Sequence, residues 1–104
     1  MELTFSGVLF EWRGPSPFHF VAVPPAEAEL IAEVAAMVTY GWGVIPVSAR
    51  SGATTWTTSL FPKQGGYLVP VKDAIRRAER MSVGDVVTIT LALDLTRPGG
   101  VRRR

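Results

Sequence analysis

The chain has no cysteine and one histidine among its 104 residues. The first absence excludes disulfides, thiolate metal sites and cysteine nucleophiles, and it fits a cytoplasmic protein. The second leaves His19 without the companions a metal centre needs, so no metal site is expected. No Asp or Ser neighbours His19 in a catalytic pattern, and it alternates with Phe18 and Phe20. A structural or surface role is therefore expected for it rather than that of a general base. Gly65-Gly66 and Gly99-Gly100 lack the spacing and lysine of a phosphate-binding loop. Ser59 lacks the Gly-x-Ser-x-Gly surround of a nucleophile elbow. The longest apolar-biased run, residues 26–40, carries Glu27, Glu29 and Glu33 and is too short to span a bilayer. No basic segment precedes an apolar run at the N-terminus, so no signal peptide is expected. An enzyme is the least favoured class, and no cofactor is expected.

Charge of one sign is also scarce once its position is considered. The formal net charge is +2, but the 11 basic residues include Arg97, Arg102, Arg103 and Arg104. Positions 1–96 then hold 7 basic against 9 acidic residues, a net charge of −2. A nucleic-acid footprint belongs on a folded basic face, and the body supplies none overall. Residues 97–104 read as a basic, disordered, solvated tail, and residues 1–96 as one domain.

What is present is a core: 47% of residues are hydrophobic, which excludes disorder for most of the chain. Residues 3–12 read as a strand with Leu3, Phe5 and Leu9 on one face and Val8, Phe10 and Trp12 on the other. Two apolar faces predict a strand covered on both sides, as in a small closed barrel with helices or loops outside. Residues 18–23 read as the next strand, and residues 25–39 as a helix with a stripe of Leu30, Ile31, Val34, Met37 and Val38. Gly41 is the expected stop of that helix. Residues 44–50 read as a strand whose Pro46 implies an edge or a bulge. Residues 54–61 follow as a strand that Pro62 should stop, with Gly65-Gly66 making the reversal and residues 67–69 returning. Residues 71–81 read as a second helix, burying Val71, Ala74, Ile75, Ala78 and Met81 and turning Asp73, Arg76, Arg77 and Arg80 outward. Residues 86–95 are the clearest strand, with Val87, Ile89, Leu91, Leu93 and Leu95 on one face. Asp85 is expected to bond nearby backbone N–H groups.

The order strand, strand, Pro, helix, strand thus occurs twice, in residues 3–50 and 53–95. Two ββαβ halves of this kind pair about a pseudo-twofold axis and close a barrel, which removes exposed edges.

Several blocks also carry a resemblance. Gly41-Trp42-Gly43, Ile45-Pro46-Val47, the run from Trp56 to Lys63, the run from Gly66 to Lys72, and Val83-Gly84-Asp85-Val86-Val87 together resemble a bacterial and archaeal family, domain of unknown function 1905. The resemblance covers about residues 3–95. It implies a mainly β, small closed six-stranded barrel with two α-helices, similar to the double-split β-barrels of AbrB-like regulators. It implies no activity.

The central hairpin concentrates polar and basic groups beside aromatics. Trp42, Arg50, Trp56, Lys63, Tyr67 and Lys72 are the expected ligand-binding set, because binding sites combine aromatic walls with a few directed polar groups. The favoured function is a non-catalytic binding module for a small anionic ligand or peptide. The alternative is a DNA-binding regulator using Arg76, Arg77, Arg80 and the arginine tail; fold analogy alone supports it weakly.

Overall fold

The two-faced first strand, β1 (Glu2–Trp12), sets the architecture. It is followed by β2 (Phe18–Ala22), α1 (Pro25–Val38), β3 (Ile45–Ser51), β4 (Thr54–Lys63), β5 (Gly66–Pro70), α2 (Asp73–Ala78) and β6 (Val86–Leu93). A computed structural model describes residues 1–14, 18–38 and 45–93, with backbone alone for 36–38. Gly41, Trp42, Leu95 and the arginine tail lie outside the described residues.

The six strands close an antiparallel barrel in the order β1-β2-β5-β4-β3-β6, the double-split arrangement of two ββαβ halves. Exchanging β1 with β4, β2 with β5 and β3 with β6 returns the same cycle, so the halves are related by a pseudo-twofold axis. The register obeys it too. Val21 faces Val69 across β2 and β5, with Phe20 opposite Pro70 and Ala22 opposite Leu68. Phe10 faces Phe20 as Phe61 faces Leu68, and Trp12 faces Phe18 as Lys63 faces Gly66.

Both long strands change partner midway, and that closes the cylinder. β1 pairs with β6 through Val8 and with β2 from Leu9; β4 pairs with β3 through Leu60 and with β5 from Phe61. Gly7 sits just before the first exchange. A Cβ there would lie 2.8 Å from Val21 Cγ1 and 2.9 Å from the Ala22 carbonyl oxygen. Only glycine lets β2 pass this close without displacement.

Alternate residues fill the interior. Leu9 and its pseudo-equivalent Leu60 are fully buried, as are Ile89 and Leu91. Phe5 and its pseudo-equivalent Trp56 are also buried. β6 alternates cleanly, burying Val87, Ile89, Leu91 and Leu93 as its sequence predicts.

Several boundaries differ from expectation for local reasons. Pro62 does not stop β4: it pairs with Tyr67, and the strand continues to Lys63. The described part of β3 ends its pairing at Ile45, opposite Leu60, so near Pro62 no described β3 residue asks for an N–H. Pro46 is tolerated similarly, because described pairing with β6 begins only at Val47. The reversal after β4 uses Gln64 (φ 51°) and Gly65 (φ 81°), with Gly66 already paired in β5. Two successive positive φ values give the two-residue hairpin turn whose twist suits the flanking strands.

The helices differ more. In α1 the buried positions are Ala28 and Ile31, with Val34 and Ala35 packed against the core, while Leu30 is exposed. The apolar stripe is thus rotated from the expected one. α2 is shorter than expected and buries none of its residues; Ala74 and Ala78 are exposed and Ile75 is half-buried. It ends early because Arg80 turns left-handed (φ 55°), with Met81 N–H bonding the Arg76 carbonyl and Arg80 N–H the Arg77 carbonyl. That is a C-terminal cap closed without glycine. Val71 and Met81, which flank the helix, carry the burial instead. No described helix is long and apolar enough to cross a membrane.

Candidate functional site

Outward positions of β1, β2, β5 and β4 form a second apolar cluster on the outside of the barrel. Phe20 and Leu68 are buried, yet neither belongs to the interior core. They are covered from outside. Phe20 packs against Phe10, Phe18 and Phe61, with ring centroids 6.0, 6.3 and 5.9 Å away. These are tilted aromatic contacts in the favourable range. The cluster is left partly open: Trp12, Phe18 and Phe61 remain 44, 57 and 45% exposed. Exposed aromatics gathered on one face mark an interaction site more often than scattered ones do.

The local chain explains why they gather. β1 and β2 continue past the barrel body into a hairpin whose last described pair is Trp12 and Phe18. β4 and β5 do the same, ending at Lys63 and Gly66. Three strand pairings separate β1 from β4, and sheet twist of roughly 20–25° per pairing leans the two hairpin ends toward each other on the outer face. They meet: Lys63 Nζ lies 3.6 Å from the centroid of the Trp12 ring. This is a cation–π contact between pseudo-equivalent positions. Beneath it runs a groove of about 370 Å³, lined by Trp12, Phe18, Phe20, Phe61, Pro62, Lys63 and Leu68. Small-molecule sites span about 300–1,000 Å³.

Among the described residues, Lys63 is the only cation in that lining. Among the described residues it has no carboxylate partner; the ion pairs there involve Arg13, His19 and Arg76 instead.

Of the residues expected to bind, only Lys63 lines the groove. Trp56 points into the barrel, buried, and its Nε1–H donates to the Pro70 carbonyl oxygen at 3.1 Å. Tyr67 is half-buried and packs against the core. Arg50 is exposed on β3, opposite Thr55 and Thr90. Thr55 and Lys63 are eight positions apart along β4, about 26 Å at strand rise, so Arg50 and Lys63 share no pocket. Lys72 precedes α2, beyond the opposite end of β5 from Gly66, and is absent from the groove lining. Trp42 lies outside the described residues. Trp12, Phe18, Phe20, Phe61 and Leu68 went unselected from the sequence. Their signal was present in the matching parity of Phe10 with Trp12 and of Phe18 with Phe20, but joining them to Phe61 and Leu68 required the register.

Near α2, His19 is 11% exposed and sits between two carboxylates, its Nε2 3.8 Å from Glu11 and its Nδ1 3.9 Å from Asp73. Asp73 accepts a 2.8 Å hydrogen bond from Arg76 Nη2. That bond and the guanidinium charge, outweighing desolvation, hold the Asp73 carboxyl below its ordinary value. Arg76 is therefore committed to Asp73, which leaves Arg77 and Arg80 as the exposed cations of the α2 face. Asp85 accepts a bond from the Ser82 N–H at 2.8 Å, as expected. No cluster of three His, Asp or Glu side chains suited to a metal occurs among the described residues.

The model of the family described as domain of unknown function (DUF1905) matches residues 5–91. No curated protein matches the chain.

Proposed function

Because the chain belongs to the DUF1905 family, whose description assigns no chemistry, the reading must come from the site, and we propose a non-catalytic binding module. It holds a small anionic ligand or peptide in the outer groove between the two hairpin ends. The observation that carries this reading is Lys63: a cation with no carboxylate partner among the described residues, set in an otherwise apolar aromatic groove. Aromatic walls supply contact area at low entropic cost, and one lysine supplies orientation. The outer cluster also accounts for the exposed rings, which the barrel interior does not need.

The test is an amide NMR titration of the full chain with a library of small carboxylates and acidic peptides. Binding should shift the signals of Trp12, Phe61, Lys63 and Leu68, and Lys63→Met should weaken it by about tenfold or more, the loss of a charge-assisted hydrogen bond. Hits that shift only Lys72, or only Arg77 and Arg80, would place the binding surface elsewhere.

A further inference from the structure

The composition of the groove lining narrows its occupant. Among the described residues of the lining, the only polar side-chain group besides Lys63 is the indole N–H of Trp12; Phe18, Phe20, Phe61, Pro62 and Leu68 offer carbon alone. The described lining side chains therefore provide hydrogen-bond donors and no acceptor. A polyanion would bring several charges to one cation and leave the rest desolvated against rings, which is costly. A neutral apolar molecule would cover the ammonium without pairing it, which is costly for the same reason.

The pseudo-twofold axis adds a shape. At the position equivalent to Phe18, the second half has Gly66. A Cβ built there would meet only the Lys63 carbonyl oxygen, at 3.7 Å. One half presents a ring where the other leaves open space beside the cation. Resting on the groove reading above, we infer that the ligand class is an amphipathic monocarboxylate. Its flat apolar body lies on Phe20, Phe61 and Leu68, and its carboxylate takes the Lys63 ammonium away from the Trp12 face. An exposed cation–π contact is weak, so a carboxylate competes with it readily.

Three probes on the full chain separate the possibilities: 2-naphthoate, its uncharged amide 2-naphthamide, and inorganic phosphate, each followed by NMR at the Trp12 indole and the Lys63 and Leu68 amides. Naphthoate should bind about 10- to 100-fold more tightly than the amide, and phosphate should leave these signals unmoved. Lys63→Met should erase the acid–amide difference while retaining the amide affinity. Lys63→Arg should keep the preference. Gly66→Phe, which restores the missing ring, should weaken both naphthyl probes. Equal affinity for acid and amide in the unaltered protein would overturn the carboxylate inference and leave the groove reading standing. Phosphate moving Lys63 as far as naphthoate does would overturn the amphipathic class. If neither naphthyl probe moves groove signals at millimolar concentration, the groove reading itself falls.

Discussion

The two halves of the barrel place the same backbone positions on one axis and fill them differently. On the inside they agree: Leu9 matches Leu60, Val21 matches Val69, and Phe5 matches Trp56, all buried. On the outside they part. The first half presents Phe10, Trp12, Phe18 and Phe20, while the second presents Phe61, Lys63, Gly66 and Leu68 at the corresponding places. Interior positions are constrained alike by packing, because both halves line one close-packed core. Outer positions carry no such constraint. Their divergence makes the groove unequal: one side is aromatic, with Trp12 and Phe18, and the other pairs the charge of Lys63 with the open space at Gly66.

The sharpest way to break the inner equivalence is to truncate it on each side. Leu9→Ala and Leu60→Ala each remove a fully buried side chain. Each should cost about 2–5 kcal/mol in urea denaturation, from lost transfer energy plus a cavity. The two losses should be similar. If one fell below about 1 kcal/mol, that half would be relaxing around its cavity, and the symmetry of the register would not extend to energetics.

A middle-sized effect separates the two adjacent glycines of the second hairpin. Gly65 has φ 81°, whereas Gly66 is strand-paired with open space at its Cβ. Gly65→Ala should therefore destabilise by about 1–2 kcal/mol, the cost of a left-handed L-residue. Gly66→Ala should be neutral or stabilise by about 0.4–1 kcal/mol through the unfolded chain. Thermal melts of the two variants decide it. The reverse order would move the turn to Gly65-Gly66, the position its composition first suggests, and would slide β5 by two residues against β4, setting Lys63 opposite Leu68 instead of Gly66 with the facing of both strands kept.

That turn illustrates what the sequence could carry. Strand periodicity is local, so the six strands, both helices and the repeat of ββαβ were legible from apolar spacing and from prolines after each hairpin. Boundaries were less so. Pro62 reads as a terminator only if a partner strand needs its N–H, and whether it does depends on where β3 ends. The α2 stripe failed because Ala74 and Ala78 carry too little apolar surface to force burial, and the left-handed Arg80 leaves no mark in composition. For the site, nearness in sequence was misleading. Trp56 and Lys63 share β4, but opposite parity sends one to the core and the other outward. The groove instead joins residues from positions 12 to 68, and only the closed topology brings those together.

The smallest expected effect tests a second contrast, between the helices. α1 is anchored by burial of Ala28 and Ile31, while α2 buries nothing and relies on bonds at its ends and on the Asp73–Arg76 pair. Asp73 is exposed, so its pair contributes modestly, yet it leaves a pH signature. Its carboxyl is held below the ordinary value of 3.8, first by the hydrogen bond from Arg76 and then by the guanidinium charge. A folded-state value below the unfolded one means that the folded protein keeps the carboxylate where the unfolded chain takes up a proton. The contribution is thus complete above the ordinary carboxylate range and is lost as pH falls through the lowered folded value. Asp73→Asn removes this contribution at every pH. The Tm of the unaltered protein should exceed that of the variant at neutral pH, and the gap should close as pH drops below about 4. Since Asp73 also faces His19 Nδ1 at 3.9 Å, Arg76→Gln provides the control: it should shrink the same acid-side slope while leaving the Asp73 carboxylate beside His19 in place. A gap between the unaltered protein and Asp73→Asn that stays constant from neutral to acid pH would mean that α2 is not held by the charge of Asp73. The end bonds through Arg76, Arg77 and Met81 would then be what keeps this helix in register.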